Sequence, residues 1–295
     1  MTASPAIIHG EGPLQQEVNR FFTETSTYWG DVYRPDDHSF AATVHRARQA
    51  AAVSWIDALA LPRGARVLEV GCGAGFLTAT LAQRGLRVDA VDGSEAMVDA
   101  TRGRIATLGL ADVATVRVAD VHALAVDDGT YAAVVALGVL PWLHSPEEAL
   151  REIARVLASG GAVVLTGNNR ARLNFVLDPR YNPLVLFPIK RRAKVVLKRL
   201  GWRPLGVLPD LHFPAEVDRF VAAAGLVKEK SRTLGFGPFS FLGAPLFTDE
   251  RSVALHAWLQ RLADAGMPLL RSTGMNYFVL ARKPGAAERS SAARG

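Results

Sequence analysis

A run of glycines and three spaced carboxylates carry the clearest chemistry in this chain. In Glu69-Val70-Gly71-Cys72-Gly73-Ala74-Gly75 an acid stands two residues ahead of glycines at alternate positions. Glycines there let the backbone turn sharply and let a ligand approach with no Cβ in the way. A dinucleotide fingerprint of the form G-x-G-x-x-G would need its third glycine at position 76, which is Phe76. With no pyrophosphate cradle, the loop suits a nucleoside that carries an amino acid. Asp92 follows about 20 residues past the loop, where a carboxylate can accept both ribose hydroxyls. Asp120, further on, is placed to accept an adenine amino group.

Those side chains can cooperate only if strand ends bring them together. Short β-branched runs at 66–70, 87–91, 113–118, 132–137 and 162–166 read as strands, each apolar and bounded by glycine or polar residues. Between them, 76–84 has apolar residues at helical spacing and stops at Gly85. Ser94 is positioned to cap a helix from Glu95 to Leu108, which ends at Gly109. Ser145-Pro146-Glu147-Glu148 starts another, expected to reach Ala158: a capping residue, Pro at the first position and acids in the first turn. Single helices between strands imply right-handed crossovers and an α/β fold with a doubly wound, mostly parallel sheet. A further helix at 214–224 and strands at 226–234 and 276–282 extend it. The expected division is an N-terminal helical lid over 1–62, a main domain over 63–284 with lid insertions at 169–212 and 235–274, and a flexible tail over 285–295.

Composition removes several classes of protein. With 49% hydrophobic and 21% charged residues, the chain can bury a sizeable core and does not read as disordered. Its one cysteine, Cys72, has no partner for an internal disulfide, and no Cys/His spacing suggests a metal site. Cys72 reads as a small buried loop residue and not as a nucleophile. The first residues lack the basic region and apolar run of an export signal, and no stretch approaches the roughly 18 apolar residues of a spanning helix. A cytoplasmic protein is expected. Its net charge of +6 is concentrated, since Lys190, Arg191, Arg192, Lys194, Lys198, Arg199 and Arg203 crowd one stretch. Apolar residues interleave with these bases, and the stretch 184–203 suggests contact with an anionic membrane surface, which would make the protein peripheral at the inner face. A clamp for a phosphate-bearing substrate and a plain solvated face are the rival readings.

Taken in order, these pieces resemble the class I S-adenosylmethionine-dependent methyltransferases of the small-molecule type. The resemblance is carried by residues 67–75, by Val91-Asp92-Gly93-Ser94-Glu95-Ala96-Met97, by Ala119-Asp120, by 136–140 and by the helix and turn over 146–161. It implies a Rossmann-like seven-stranded sheet with the last strand antiparallel, and S-adenosyl-L-methionine as cofactor. It also implies Gly71, Gly73 and Gly75 against the methionine part, with Glu69 near the amino end and Leu137 nearby. Asp92 would take the ribose, Met97 would lie beside the adenine, and Asp120 would meet the exocyclic amine. Cys72, Gly93 and Val121 join the binding set as neighbours within these runs.

The methyl acceptor is less legible. Family members that methylate base amino groups carry Asn or Asp followed by Pro-Pro and an aromatic after the fourth strand, whereas this chain has Leu137-Gly138-Val139-Leu140-Pro141-Trp142. Nucleic acid is therefore disfavoured as substrate, and a nucleic-acid methyltransferase stands as an alternative on net charge alone. A non-catalytic cofactor-binding protein is the second alternative. The aromatic run over 21–33 and the apolar stretch 236–247 favour a small lipophilic or amphiphilic acceptor, such as a quinone, isoprenoid, lipid or secondary-metabolite intermediate. A base drawing a proton from that acceptor is expected among His212, His144 and Tyr28, with Tyr33, His38, His45 and His122 as further candidates. Oligomeric state is left open.

Overall fold

The computed structural model describes residues 13–34, 36–182 and 208–285. Seven strands form one sheet: β1 (Arg66–Val70), β2 (Arg87–Asp92), β3 (Ala114–Val118), β4 (Tyr131–Ala136), β5 (Leu157–Asn168), β6 (Val227–Leu234) and β7 (Asn276–Arg282). Their order is β3-β2-β1-β4-β5-β7-β6, parallel throughout except that β7 runs antiparallel to both β5 and β6. The chain reverses its direction of travel across the sheet between β1 and β4. That reversal opens a crevice at the carboxyl ends of the strands, where open α/β sheets hold their ligands.

Alternation along the strands explains the two-sided core. Val67 points to one face and Leu68 to the other, and both are fully buried. Leu68, Val134 and Val163 pack against α6 (Pro146–Val156) and α8 (Pro214–Ala223) through Leu150, Ile153, Val217 and Val221. Val67, Val135 and Val164 pack on the opposite face against α3 (Phe40–Asp57), α4 (Phe76–Gln83) and α5 (Glu95–Thr107) through Trp55, Ile56, Leu77, Leu81 and Ile105. The third helix of the N-terminal region is thus part of the sheet's own core. Its predecessors, α1 (Pro13–Glu24) and α2 (Ser26–Asp31), lie near α5, and the Thr23 hydroxyl hydrogen-bonds that of Ser94 at 3.0 Å.

Local chemistry sets the boundaries. Ser94 caps α5, accepting a hydrogen bond from Met97 N–H at 3.4 Å. Ser145 occupies the corresponding position of α6 without a side-chain cap bond, so Pro146 and the two glutamates start that helix unaided. The same helix stops at Val156, two residues before its expected end, because the chain is already extended at Leu157. Gly160 and Gly161 consequently lie inside β5, and a Cβ on Gly161 would come within 2.9 Å of the Ala158 carbonyl and 3.1 Å of the Ala132 carbonyl. In the second insertion, a two-residue hairpin (Ser240–Phe241 with Ala244–Pro245) precedes α9 (Asp249–Asp264). The first insertion begins with the short α7 (Leu173–Leu177). The basic stretch expected at a membrane, 184–203, and most of the expected tail lie outside the described residues. Among the described residues, no helix is long and apolar enough to cross a membrane, and no cluster of His, Cys, Asp and Glu has the makings of a metal site.

Candidate active site

A cavity of about 550 Å³ occupies the crevice at the strand ends. Its floor is the set of loops that leave β1, β2 and β3. Glu69, Gly71, Cys72, Gly73, Asp92, Gly93, Met97, Asp120, Val121 and Leu137 all line it. Gly75 does not. It precedes α4 with φ +77°, and a Cβ there would lie 2.8 Å from Thr101 Cγ2 and 3.0 Å from Thr101 Cα. Gly73 differs: at φ +54° its missing Cβ faces open space. One glycine of the motif lets two helices pack, and the other leaves room for a ligand.

The three acids of the floor are each tied in place. Glu69 is 3% exposed and accepts the Thr78 hydroxyl at 2.5 Å. Burial, opposed by that hydrogen bond and assisted by the nearby Asp92 charge, pushes its carboxyl up to about 8. Asp92 accepts Gly73 N–H at 3.0 Å through one oxygen and Ser94 N–H at 2.9 Å through the other. Burial raises its pKa in spite of those backbone donors. Asp120 takes both the backbone N–H of His122, at 2.9 Å, and the ring Nδ1, at 2.6 Å. Burial alone would lift the Asp120 carboxyl, but these hydrogen bonds and the neighbouring imidazoles bring it below the ordinary value. The His144 ring lies 3.8 Å from that of His122, so the pair braces the edge of the floor.

The wall is built from distant parts of the chain. Phe22, Trp29, Tyr33, Phe40, Val44, His45 and Arg48 come from the N-terminal helices and the loop that joins them, Trp142 from the turn after β4, and Asn168, Arg172, Pro238, Met275 and Asn276 from the far side. Phe21 and Phe22 pack on Trp142, and Tyr33 stacks on Phe76 with ring centroids 4.9 Å apart. Polar atoms on this wall lack protein partners: Trp29 Nε1, His45 Nδ1, Arg48 Nε and Arg172 Nε are buried without a hydrogen bond. Arg48 is only 9% exposed, and among the described residues its guanidinium donates one hydrogen bond, to the Tyr33 hydroxyl at 3.2 Å. A Cβ on Gly138 would meet Arg48 Nη1 at 2.7 Å, which places the cation over the crevice between β1 and β4. Burial and the Arg48 charge together depress the neighbouring His45 to about 3, so its imidazole is neutral.

Tyr28, His144 and His212, expected to supply a base, do not line the cavity. Tyr28 is half exposed on α2 and packs edge-on against Trp29. His144 rests on His122. His212 pairs through its backbone with Asn168 and Arg170, and its ring meets Phe220 edge-on at 5.5 Å. Of the wider set of histidines and tyrosines, Tyr33 and His45 do line the cavity. Arg48 and Arg172 were not among the expected site residues. Arg48 had a legible signal, for it interrupts the inward stripe Phe40, Val44, Ala52, Ile56 of α3, and a charge at that spacing must find or await a partner. Arg172 had none, because only the fold turns its short segment inward.

Residues 68–165 match a family model described as a methyltransferase domain. The chain is 30% identical over 164 residues to the ubiquinone biosynthesis O-methyltransferase of Xanthomonas axonopodis pv. citri (strain 306), an alignment that takes in 55% of this chain and 65% of that protein, just under two thirds of its length. To the enzyme of the same name from Azoarcus sp. (strain BH72) it is 28% identical over 235 residues, 79% of this chain and 84% of the relative. Among solved structures, the cyclase SpnF superposes with a TM-score of 0.61 at 17% identity, covering 93% of this chain and 98% of that one. That likeness concerns the fold alone, since one fold hosts unrelated chemistries.

Proposed function

We propose that the chain is a class I S-adenosylmethionine-dependent methyltransferase, a reading supported by the methyltransferase-domain match over residues 68–165, and that it methylates a small lipophilic acceptor held beside S-adenosyl-L-methionine in the cavity. One observation carries the proposal: three tethered acids stand at the tips of adjacent strands, and Arg48, buried with its guanidinium against Gly138, lines the same cavity. The donor set fits a nucleoside bearing a zwitterionic amino acid. Glu69 would take the ammonium, losing its proton as it does so, and Arg48 the carboxylate, which supplies the counter-charge that Arg48 lacks among the described residues. Asp92, clamped by two backbone N–H groups, keeps lone pairs for ribose hydroxyls, and Asp120, braced by His122, keeps one for an amine. Gly73 leaves the floor open where a side chain would intrude.

When bound, S-adenosylmethionine supplies a sulfonium methyl group open to in-line displacement. The protein's share is alignment and exclusion of water. Phe22, Phe40, Trp142, Pro238 and Met275 give the cavity apolar surface, which favours a lipophilic acceptor. His45 lines the cavity as a neutral imidazole, and a hydrogen bond between that ring and an acceptor hydroxyl would orient the acceptor's oxygen. Pairing Arg48 with a carboxylate would remove the charge that helps hold His45 down, so the imidazole becomes a stronger acceptor as the site fills. The names of the two relatives, both O-methyltransferases, support an oxygen acceptor.

Calorimetry with S-adenosylhomocysteine is the first test. Binding should survive millimolar NAD, since Phe76 stands where a pyrophosphate loop needs glycine. Turnover of S-adenosylmethionine with a panel of lipophilic phenols and quinols should then release S-adenosylhomocysteine. Absence of binding would remove the cofactor assignment. Binding without turnover on any acceptor would favour a non-catalytic protein.

A further inference from the structure

The cavity holds a second cation that has no ion pair or side-chain hydrogen bond among the described residues. Arg172 lines the side opposite the N-terminal helices. Its guanidinium lies 3.4 Å above the centre of the Phe175 ring, and its buried Nε has no hydrogen bond. Arg172 forms no ion pair among the described residues, and burial alone lowers its pKa to about 10. Residues 183–207, which follow in sequence, contain seven Lys and Arg and no Asp or Glu, so they offer no counter-ion either.

The position of Arg172 is fixed by its neighbours. Asn169, fully buried, donates its side-chain amide to the carbonyls of Ser272 and Gly274, both at 2.8 Å. Asn169 N–H reaches the Met275 carbonyl and Leu173 N–H the Thr273 carbonyl, again at 2.8 Å. Arg172 is therefore held between two stitched points on the approach to β7. A cation desolvated against an aromatic ring with its fork unpaired is costly unless a ligand completes it. The guanidinium fork matches a planar or tetrahedral oxyanion, with which it forms short charge-assisted bonds.

We infer that Arg172 is a specificity residue that receives an oxyanion, a carboxylate or phosphate, on the methyl acceptor, so that the acceptor is an amphiphile with an acidic head. This assignment rests on the cavity being the cofactor and acceptor site. Arg48 stands over the β1–β4 crevice against Gly138 and so faces the cofactor's amino-acid end, whereas Arg172 belongs to the far wall.

The experiment titrates octanoate, octyl phosphate and octanol into full-length protein saturated with S-adenosylhomocysteine. At least one of the anions should bind tenfold or more tighter than octanol, about the effect of one charge-assisted contact. The stronger anion identifies the head group as carboxylate or phosphate. Arg172→Gln should erase the preference, and Arg172→Lys should restore part of it, as a charge without the fork. S-adenosylhomocysteine affinity should be unchanged in both variants, which also reports that they are folded. Equal binding of octanol and the anions, or no binding of either anion at millimolar concentration, overturns the proposal. Loss of S-adenosylhomocysteine affinity in Arg172→Gln also overturns it, by moving Arg172 to the cofactor. Failure of the wild type to bind S-adenosylhomocysteine strikes instead at the proposed function.

Discussion

The floor and the wall of the cavity solve opposite problems. On the floor, every acid is within two residues of a strand end and is already bonded: Glu69 to Thr78, Asp92 to two backbone N–H groups, Asp120 to His122. On the wall, Trp29, His45, Arg48 and Arg172 present buried polar atoms with no protein partner. A bonded acid is aimed before the ligand arrives, so little ordering cost remains at binding. An unpaired buried donor costs stability until a ligand completes it. The floor is thus tied into the fold by its own hydrogen bonds, whereas the wall is held in place by packing and, among the described residues, leaves polar atoms unpaired.

Substitutions should separate the two regions, and the largest effect is expected where both roles meet. Asp92→Ala removes the proposed ribose acceptor and orphans the amides of Gly73 and Ser94. S-adenosylhomocysteine affinity should fall by about 1.5–3 kcal/mol, the range for hydrogen bonds to a charged group, and stability should fall by a further ~1–3 kcal/mol. Arg48→Met, on the wall, should lose a similar amount of affinity while thermal stability stays level or rises, because a buried unpaired charge is replaced by an apolar chain of similar length. Calorimetry and thermal unfolding on the same two variants decide the matter. If Arg48→Met unfolds easily yet binds normally, Arg48 is structural and the contrast fails.

A smaller effect divides the floor itself. Gly75→Ala forces a left-handed residue against Thr101 and should cost about 2–3 kcal/mol of stability. Gly73→Ala meets open space and should cost only about 1 kcal/mol, the backbone term alone. Its methyl group would project into the cavity, so cofactor affinity should fall more than stability. Equal unfolding temperatures for the two variants would contradict this division.

The subtlest expectation concerns protons. With its carboxyl raised to about 8 by burial, Glu69 is protonated in the free protein at neutral pH. Between the ordinary carboxylate range and that value the native chain binds more protons than the unfolded one, so this group's contribution to stability declines as pH rises through the window. An ammonium placed beside Glu69 would favour its ionised form and expel the proton. S-adenosylhomocysteine binding near pH 7 should therefore release close to one proton, measurable by calorimetry in buffers of different ionisation enthalpy, and affinity should rise with pH up to about 8. Glu69→Gln should bind without proton release. Proton release in that variant equal to the wild type would place the titrating group elsewhere.

Much of the floor was readable from the residues because each part of it is local. The glycine loop, Asp92 and Asp120 follow their strands directly, and a parallel strand order puts those ends side by side without further information. Met97 sits one turn into the helix that Ser94 caps, so its burial beneath the cavity also follows from near neighbours. The wall was hidden for the opposite reason. His45 and Arg48 come from one end of the chain, Arg172 from an insertion, and Met275 and Asn276 from the entry to the last strand, and no spacing within any of these segments reports the others. His212 shows the converse, since its place beside the re-entering chain suggested a cleft residue, while its ring turned to Phe220.

What the sequence determined by itself was the sheet, the order of its helices and the acids at its strand tips, because strand alternation, glycine turns and helix caps act over a few residues. Only the tertiary structure decided which cations lie buried, which histidine is neutral and which faces the cavity. Those outcomes depend on desolvation by residues more than a hundred positions away, as when Ser272 and Gly274 hold Asn169 and, through it, the segment that carries Arg172.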